Sequence, residues 1–226
     1  MSLADILILL VILIPLIAQI YVSISFSKYK KIKNSKKISG FEVAREILDN
    51  NSLSGIYVTE TKGMFSDHYD SSRKVIRLST AVFHDITIAA SAIAAHEVGH
   101  AIQDKEGNTI IKFRGFLGQF INFAAVGGYA AIIIGALFAS SDLLWAGTIL
   151  EIIILSFQLI TLPVEIEASE KAKRELKKKK LLTEKEFDKY ANMLKVAAYT
   201  YIAGAFTTII QVLKLVFLPG DNNRED

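Results

Sequence analysis

The sequence predicts a mainly α-helical, multi-pass membrane protein with about four transmembrane helices and a small cytoplasmic α+β portion carrying a short β-hairpin. Three observations carry this expectation. Apolar residues gather in long blocks at 3–26, 116–139, 143–163 and 196–218, each long enough to cross a bilayer as a helix. Hydrophobic residues make up 51% of the 226-residue chain and the mean hydropathy is +0.35, both high for a soluble domain. Basic residues cluster at 28–37 and 171–195, which fall on one side of the membrane if every block spans it. The net charge of +3 gives no support to a nucleic-acid partner. The absence of Cys excludes disulfides and thiolate-ligated zinc.

The elements follow in order. Residues 1–27 read as a transmembrane anchor in which Asp5 is the single charge. No positive charge precedes the apolar run and no small-x-small site closes it, so a cleavable signal peptide is disfavoured. Lys28, Lys30, Lys31, Lys33, Lys36 and Lys37 follow, and place the next segment in the cytoplasm. Residues 28–115 read as a water-facing portion. Ser39-Gly40-Phe41-Glu42 fits a capping box that opens an amphipathic helix through Leu48, and Asn50-Asn51-Ser52 ends it. Ile56–Thr59 and Lys74–Leu78 have strand composition and supply the expected hairpin, with a polar loop over 63–70 between them. Asp85 or Thr87 opens a further helix that Gly107-Asn108 ends. That helix is apolar from Ile86 to Ile102 but short for a bilayer, and it reads as buried or interfacial.

Residues 116–163 read as a transmembrane hairpin turning at Ser140-Ser141-Asp142, with Gly127, Gly128 and Gly135 allowing close helix contact. Glu151 lies deep in this apolar run, where a carboxylate has either a function or a hydrogen-bonded structural role. Residues 164–195 form a basic cytoplasmic segment, read as lying against anionic lipid heads, in which Thr183–Glu186 restarts a helix. Residues 196–218 complete the set of spans, and 219–226 form an acidic tail.

The chemistry sits in Ala94–Gln103, which contains His96-Glu97-Val98-Gly99-His100. On a helix, His96 and His100 are one turn apart on one face, so both imidazoles can bind a single Zn²⁺. Glu97 stands where it can take a proton from the water at the open position. A third ligand must come from the same side of the membrane. His68 and His84 are the remaining histidines, and Glu165, Glu167 and Glu170 are the strongest acids. Glu165 sits at the mouth of the third span, where a carboxylate is expensive unless it meets a cation.

His96–Gln103, Leu162-Pro163-Val164-Glu165 and Ala168-Ser169 together resemble the YugP-type neutral zinc metallopeptidases of bacterial and archaeal membranes. Asp67-His68-Tyr69-Asp70 and Arg77-Leu78-Ser79 fit that pattern too. Glu165–Ser169 is more distantly similar to the E-x-x-A-D segment of HtpX-type and CAAX-prenyl-type membrane proteases. The resemblance implies a zincin-like cytoplasmic portion, zinc as cofactor, peptide-bond hydrolysis and Glu165 as third ligand. Ser169 replaces the usual Asp behind a zinc-binding His, for which Glu167 or Asp67 could substitute. His68, Tyr69 and Arg77 are candidates for steadying the oxyanion or the substrate. The expected partners are a protein or peptide substrate and the lipid bilayer. The alternative is a non-catalytic membrane scaffold or assembly factor that retains zinc, against which Glu97 argues. Neither the substrate nor the oligomeric state is legible in these residues.

Overall fold

The computed structural model describes residues 3–63 and 66–193, with isolated positions at 203, 206, 207, 209 and 210. The elements are α1 (Leu3–Tyr29), α2 (Gly40–Asn50), β1 (Tyr57–Thr61), β2 (His68–Asp70), β3 (Val75–Ser79), α3 (Thr80–His84), α4 (Ile88–Lys105), α5 (Thr109–Leu137) and α6 (Ser141–Lys178). A further helix, α7, covers 184–193. The chain divides into two compact units, one of Val22–Phe116 with Thr161–Ala197, the other of Met1–Tyr21, Leu117–Ile160 and Ala198–Asp226.

The first unit carries the core. Ser39 accepts the Glu42 N–H at 3.2 Å while the Glu42 carboxylate takes the Ser39 N–H at 2.7 Å, so α2 starts at a complete capping box. Val43, Ala44, Ile47 and Leu48 form its buried face, and α2 packs on α4. Thr87 caps α4 by accepting the Ala90 N–H at 3.2 Å. Alanines at 89, 90, 92, 94, 95 and 101 are all buried, and α4 is enclosed on nearly every face. Its even apolarity is therefore that of a core helix. At Gly40 a Cβ would lie 2.2 Å from the Val82 carbonyl oxygen, so only glycine lets α3 approach there.

The sheet corrects one expectation. Its order is β1-β3-β2, with β1 parallel to β3 (Tyr57 opposite Val75) and β2 antiparallel to β3 (His68 opposite Arg77). The two anticipated strands do pair, but parallel, and the hairpin is made by β2, within the stretch read as loop. The connection from Thr61 to Val75 is long enough to return the chain to the start of the sheet, which parallel pairing demands. Buried Tyr69 anchors the intervening strand.

In the second unit, a Cβ on Gly147 would lie 2.8 Å from the Gly128 carbonyl oxygen, and one on Gly135 2.9 Å from the Leu144 nitrogen. The glycines thus let α5 and α6 touch backbone to backbone, as their positions implied. The turn between them closes with Ser140 N–H donating to Gly135 O at 2.9 Å.

Helix α6 runs without a break through Pro163. Proline gives up one helical hydrogen bond, and the buried row Val164, Ala168, Ala172 and Leu176 holds the helix beyond it against the core. Glu186 restarts the chain as α7, its carboxylate accepting the Thr183 N–H (2.7 Å) and hydroxyl (2.8 Å).

Among the described residues one helix, Ser141–Lys178, is long and apolar enough to cross a membrane, and Phe123–Gly135 is a shorter apolar stretch. The expected span at 196–218 and the tail lie outside the described residues, apart from the isolated positions above. The architecture is mainly helical with a three-stranded sheet, and the full count of four spans passes to the proposals below.

Candidate metal centre

The site forms where α6 crosses α4. A Cβ on Gly99 would sit 2.3 Å from the Ala168 carbonyl oxygen, so glycine at this position lets the two backbones meet. Their contact sets Glu165 and Ser169, one turn apart on α6, over the face of α4 that carries His96 and His100. The two imidazoles lie with centroids 4.8 Å apart. Glu165 Oε2 is 3.1 Å from His96 Nε2 and 3.6 Å from His100 Nε2. Among the described residues these three form the one such cluster, with their ligand atoms within 4.8 Å of one another.

Neighbours fix the orientation of each ring. The Gln103 amide nitrogen donates to Val164 O at 2.9 Å and to the Glu167 carboxylate at 2.7 Å. Its carbonyl oxygen therefore faces His100 Nδ1, 3.1 Å away, and that nitrogen carries the hydrogen. His100 Nε2 is left to offer its lone pair to the centre. His96 Nδ1 lies 3.1 Å from Ser169 Oγ, which again leaves Nε2 inward. Burial lowers the proton affinity of His96. The Glu165 hydrogen bond and the charges of Glu97 and Glu165 outweigh that, so the field at this point favours a positive charge.

Arg114, near the start of α5, reaches the same point. Its Nη1 donates to His100 Nε2 at 3.0 Å, and Nη2 is 2.8 Å from Glu165 Oε1. That second contact is an ion pair without hydrogen-bond alignment, leaving Oε1 buried with no aligned donor. Two imidazole nitrogens and a carboxylate oxygen converge, with no fourth protein ligand beside them among the described residues. This donor set fits a zinc ion with one open position.

Glu97 is buried, and its carboxylate accepts the Tyr69 N–H at 2.9 Å. Strand β2 thus holds it by backbone. The Tyr69 hydroxyl donates to Asp104 at 2.7 Å, and Lys74 pairs with the same carboxylate. Burial, the bond to Asp104 and its charge all push the Tyr69 phenol above its ordinary value, so it remains a donor.

The other expected residues are dispersed. His68 is exposed, with Nδ1 2.8 Å from Ser66 O, and Arg77 faces it across the β2–β3 pair. Asp67 accepts the Ser79 N–H (2.7 Å) and hydroxyl (3.0 Å). Burial pushes its carboxyl up against those bonds. Glu167 reaches His100 through Gln103 and pairs with Lys171 at 3.2 Å, and Glu170 pairs with Lys173 at 3.8 Å. His84 closes α3, where it lies 3.2 Å from Glu60 and away from the centre.

Sequence reasoning missed Arg114, Gln103 and the backbone role of Tyr69. Gln103 carried a signal, because it lies three residues after His100 on one helix face. Arg114 carried a fainter one as the cation nearest the apolar block that begins at 116, matching the cation that Glu165 needed. Nothing in the sequence pointed to a backbone N–H.

Residues 4–219 match the family described as "Putative neutral zinc metallopeptidase". A relative from Bacillus subtilis (strain 168), described as "Putative membrane protease YugP", is 37% identical over 203 residues, covering 89% of each chain. No solved structure matches the chain. With the match running over nearly its whole length, the chain belongs to this family of zinc metallopeptidases.

Proposed function

We propose that this chain is a membrane-embedded, zinc-dependent endopeptidase that hydrolyses peptide bonds of membrane or misfolded proteins at the cytoplasmic face. The observation that carries the reading is the meeting of His96, His100 and Glu165, with buried Glu97 beside His96 on the same helix. His96 and His100 would hold zinc through Nε2, and Glu165 through Oε2. The bound ion would supply Lewis acidity for the scissile carbonyl and the attacking water.

The remaining steps belong to the chain's own residues. Glu97 takes the proton from the water as it attacks, and then delivers it to the departing amine nitrogen as the carbon–nitrogen bond breaks. The Tyr69 N–H keeps the Glu97 carboxylate turned to this task. Ser169 steadies His96, and Glu167 steadies His100 through Gln103. His68 and Arg77, on neighbouring strands, are the substrate-side candidates, whereas the Tyr69 hydroxyl is committed to Asp104.

Membrane placement is supported by the apolar helix α6, the relative described as a membrane protease and the four apolar blocks of the sequence. The distribution of lysines supports a cytoplasmic site.

Metal analysis of the purified protein beside two variants tests this reading. Wild type is expected to hold about one zinc per chain, as a single three-residue donor set implies. Glu165→Ala should lose it. Glu97→Gln should keep zinc while abolishing hydrolysis of an unfolded protein such as casein. Unchanged hydrolysis in Glu97→Gln, or no zinc in wild type after reconstitution, overturns the proposal.

A further inference from the structure

Two basic segments flank the core unit, and they differ in one respect. In the second, Lys171 pairs with Glu106 and Glu167, Lys173 with Glu170, Lys177 with Glu184 and Lys178 with Glu175, while the Lys179 ammonium sits on the Asn50 side-chain carbonyl. Several of these pairs are exposed and individually weak, but the interleaved acids cancel the local field. In the first segment, Lys28, Lys30, Lys31, Lys33, Lys36 and Lys37 are all exposed. No ion pair to any of them is present among the described residues, and no acid interrupts the run. The nearest anionic contact is Glu186, whose carboxylate accepts the Ser35 N–H (2.6 Å) and hydroxyl (2.9 Å) and is shared with Thr183. Lys28 additionally lies over the Tyr29 ring at 5.9 Å.

The first segment is also a fixed platform. Buried Asn34 donates its backbone N–H to Ile86 O at 2.8 Å, and Ile32 O accepts the Ile88 N–H at 2.8 Å. The Asn34 side chain donates to Ile38 O (2.7 Å) and Ser91 Oγ (3.1 Å) and accepts the Ile38 N–H (3.1 Å). The backbone is thereby pinned to α4 while the lysine heads point into solvent. Helix α1 leads directly into this platform, and its side chains Leu13, Leu16, Ile17, Ile20 and Ile24 are exposed and apolar.

We propose that the 28–37 platform is the chain's binding surface for anionic phospholipid headgroups, and that the 171–180 block is not. An apolar helix ending in an unpaired lysine cluster fits the bilayer boundary. Its charges then face lipid phosphates, whose attraction adds up over the cluster. In the 171–180 block, which the sequence alone marks as the lipid-facing segment, Lys171, Lys177 and Lys179 instead reach Glu106 just after α4, Glu184 of α7 and Asn50 of α2, while Lys173 and Lys178 pair within α6. This inference rests on the membrane placement proposed above and is independent of the hydrolytic reaction.

The test uses the full chain reconstituted in phosphatidylcholine vesicles with trace spin-labelled phosphatidylglycerol or spin-labelled phosphatidylcholine. The motionally restricted fraction of each probe is read by electron paramagnetic resonance. The anionic probe should be enriched about threefold or more over the zwitterionic one, falling as salt rises. Replacing Lys28, Lys30 and Lys31 with Gln, or Lys33, Lys36 and Lys37 with Gln, should each lower the ratio, and the two sets together should bring it near one. K177Q/K178Q/K179Q/K180Q should leave it unchanged. Enrichment that survives the first substitutions, or is lost with the second, overturns the inference. A chain that inserts but shows no enrichment also overturns it. Failure to co-float with vesicles overturns the membrane placement itself, and this inference with it.

Discussion

Helices α4 and α6 both carry ligands for the candidate zinc site, both are rich in apolar residues, and they solve different problems. Helix α4 is 18 residues long and buried along nearly its whole surface, largely by alanines that let α2, α3 and α6 come close. Helix α6 is 38 residues long, and its first half exposes Leu143, Trp145, Ile149, Ile152, Ile153, Leu159 and Ile160. Its second half buries Val164, Ala168, Ala172 and Leu176 in the same core as α4. Equal apolarity thus encodes a core helix where side chains are small, and an outward-facing helix where they are large and exposed.

The sharpest break in this comparison falls on α4 chemistry without touching its packing. Glu97→Gln should lower turnover by about 100-fold to 10,000-fold, the range of a lost general base, with melting temperature and zinc content unchanged. Steady-state hydrolysis beside a thermal melt checks both halves of that statement.

Next in size, Gly99→Val would drive a side chain into the Ala168 carbonyl. It should cost about 3 kcal/mol or more, because two helix backbones must separate. Zinc should be lost with it, because Glu165 moves with α6. A melt and metal analysis on the same sample show whether the two losses go together.

A charge placed on α6 probes the contrast directly. Ile153→Lys on the exposed face of α6 should raise the insertion cost by about 3 kcal/mol. A glycosylation-reporter insertion assay measures it, and no penalty would mean that this face meets water. Tyr69→Phe is milder. It leaves the buried Asp104 carboxylate short of a donor, at about 1–2 kcal/mol by denaturant unfolding.

The smallest effect is an acid-limb test at α7. Burial pushes the Glu186 carboxyl up, but hydrogen bonds from Thr183 and then Ser35 hold it below its ordinary value of 4.5. A depressed folded value contributes stability above pH 4.5 that is lost as the pH falls through the folded value. Glu186→Gln should lower stability by about 1 kcal/mol at neutral pH and flatten this acid loss. Melting temperatures of both forms from pH 7 to pH 3 compare the slopes.

Much of this was legible beforehand where the cause is local. The capping box at Ser39, the Thr87 cap, the glycines at 128 and 135 and the His96–His100 pair all depend on residues within a turn or two, and each appears where the spacing put it. The strand pairing was misread because a parallel partner leaves no turn signal, and because three-residue β2 is too short for an alternating pattern to show. In the 171–180 block, composition counts lysines and cannot see the acids that fold back upon them.

By itself the sequence determined the apolar blocks, the helix starts and a histidine pair on one helix face, since periodicity and capping are properties of neighbouring residues. Only the tertiary structure decided that Arg114 meets Glu165, that Gln103 fixes His100, that the Tyr69 backbone grips Glu97 and that one lysine cluster has no ion pair among the described residues. Those facts turn on which distant residues meet once small side chains let helices close, and spacing along the chain does not encode that distance.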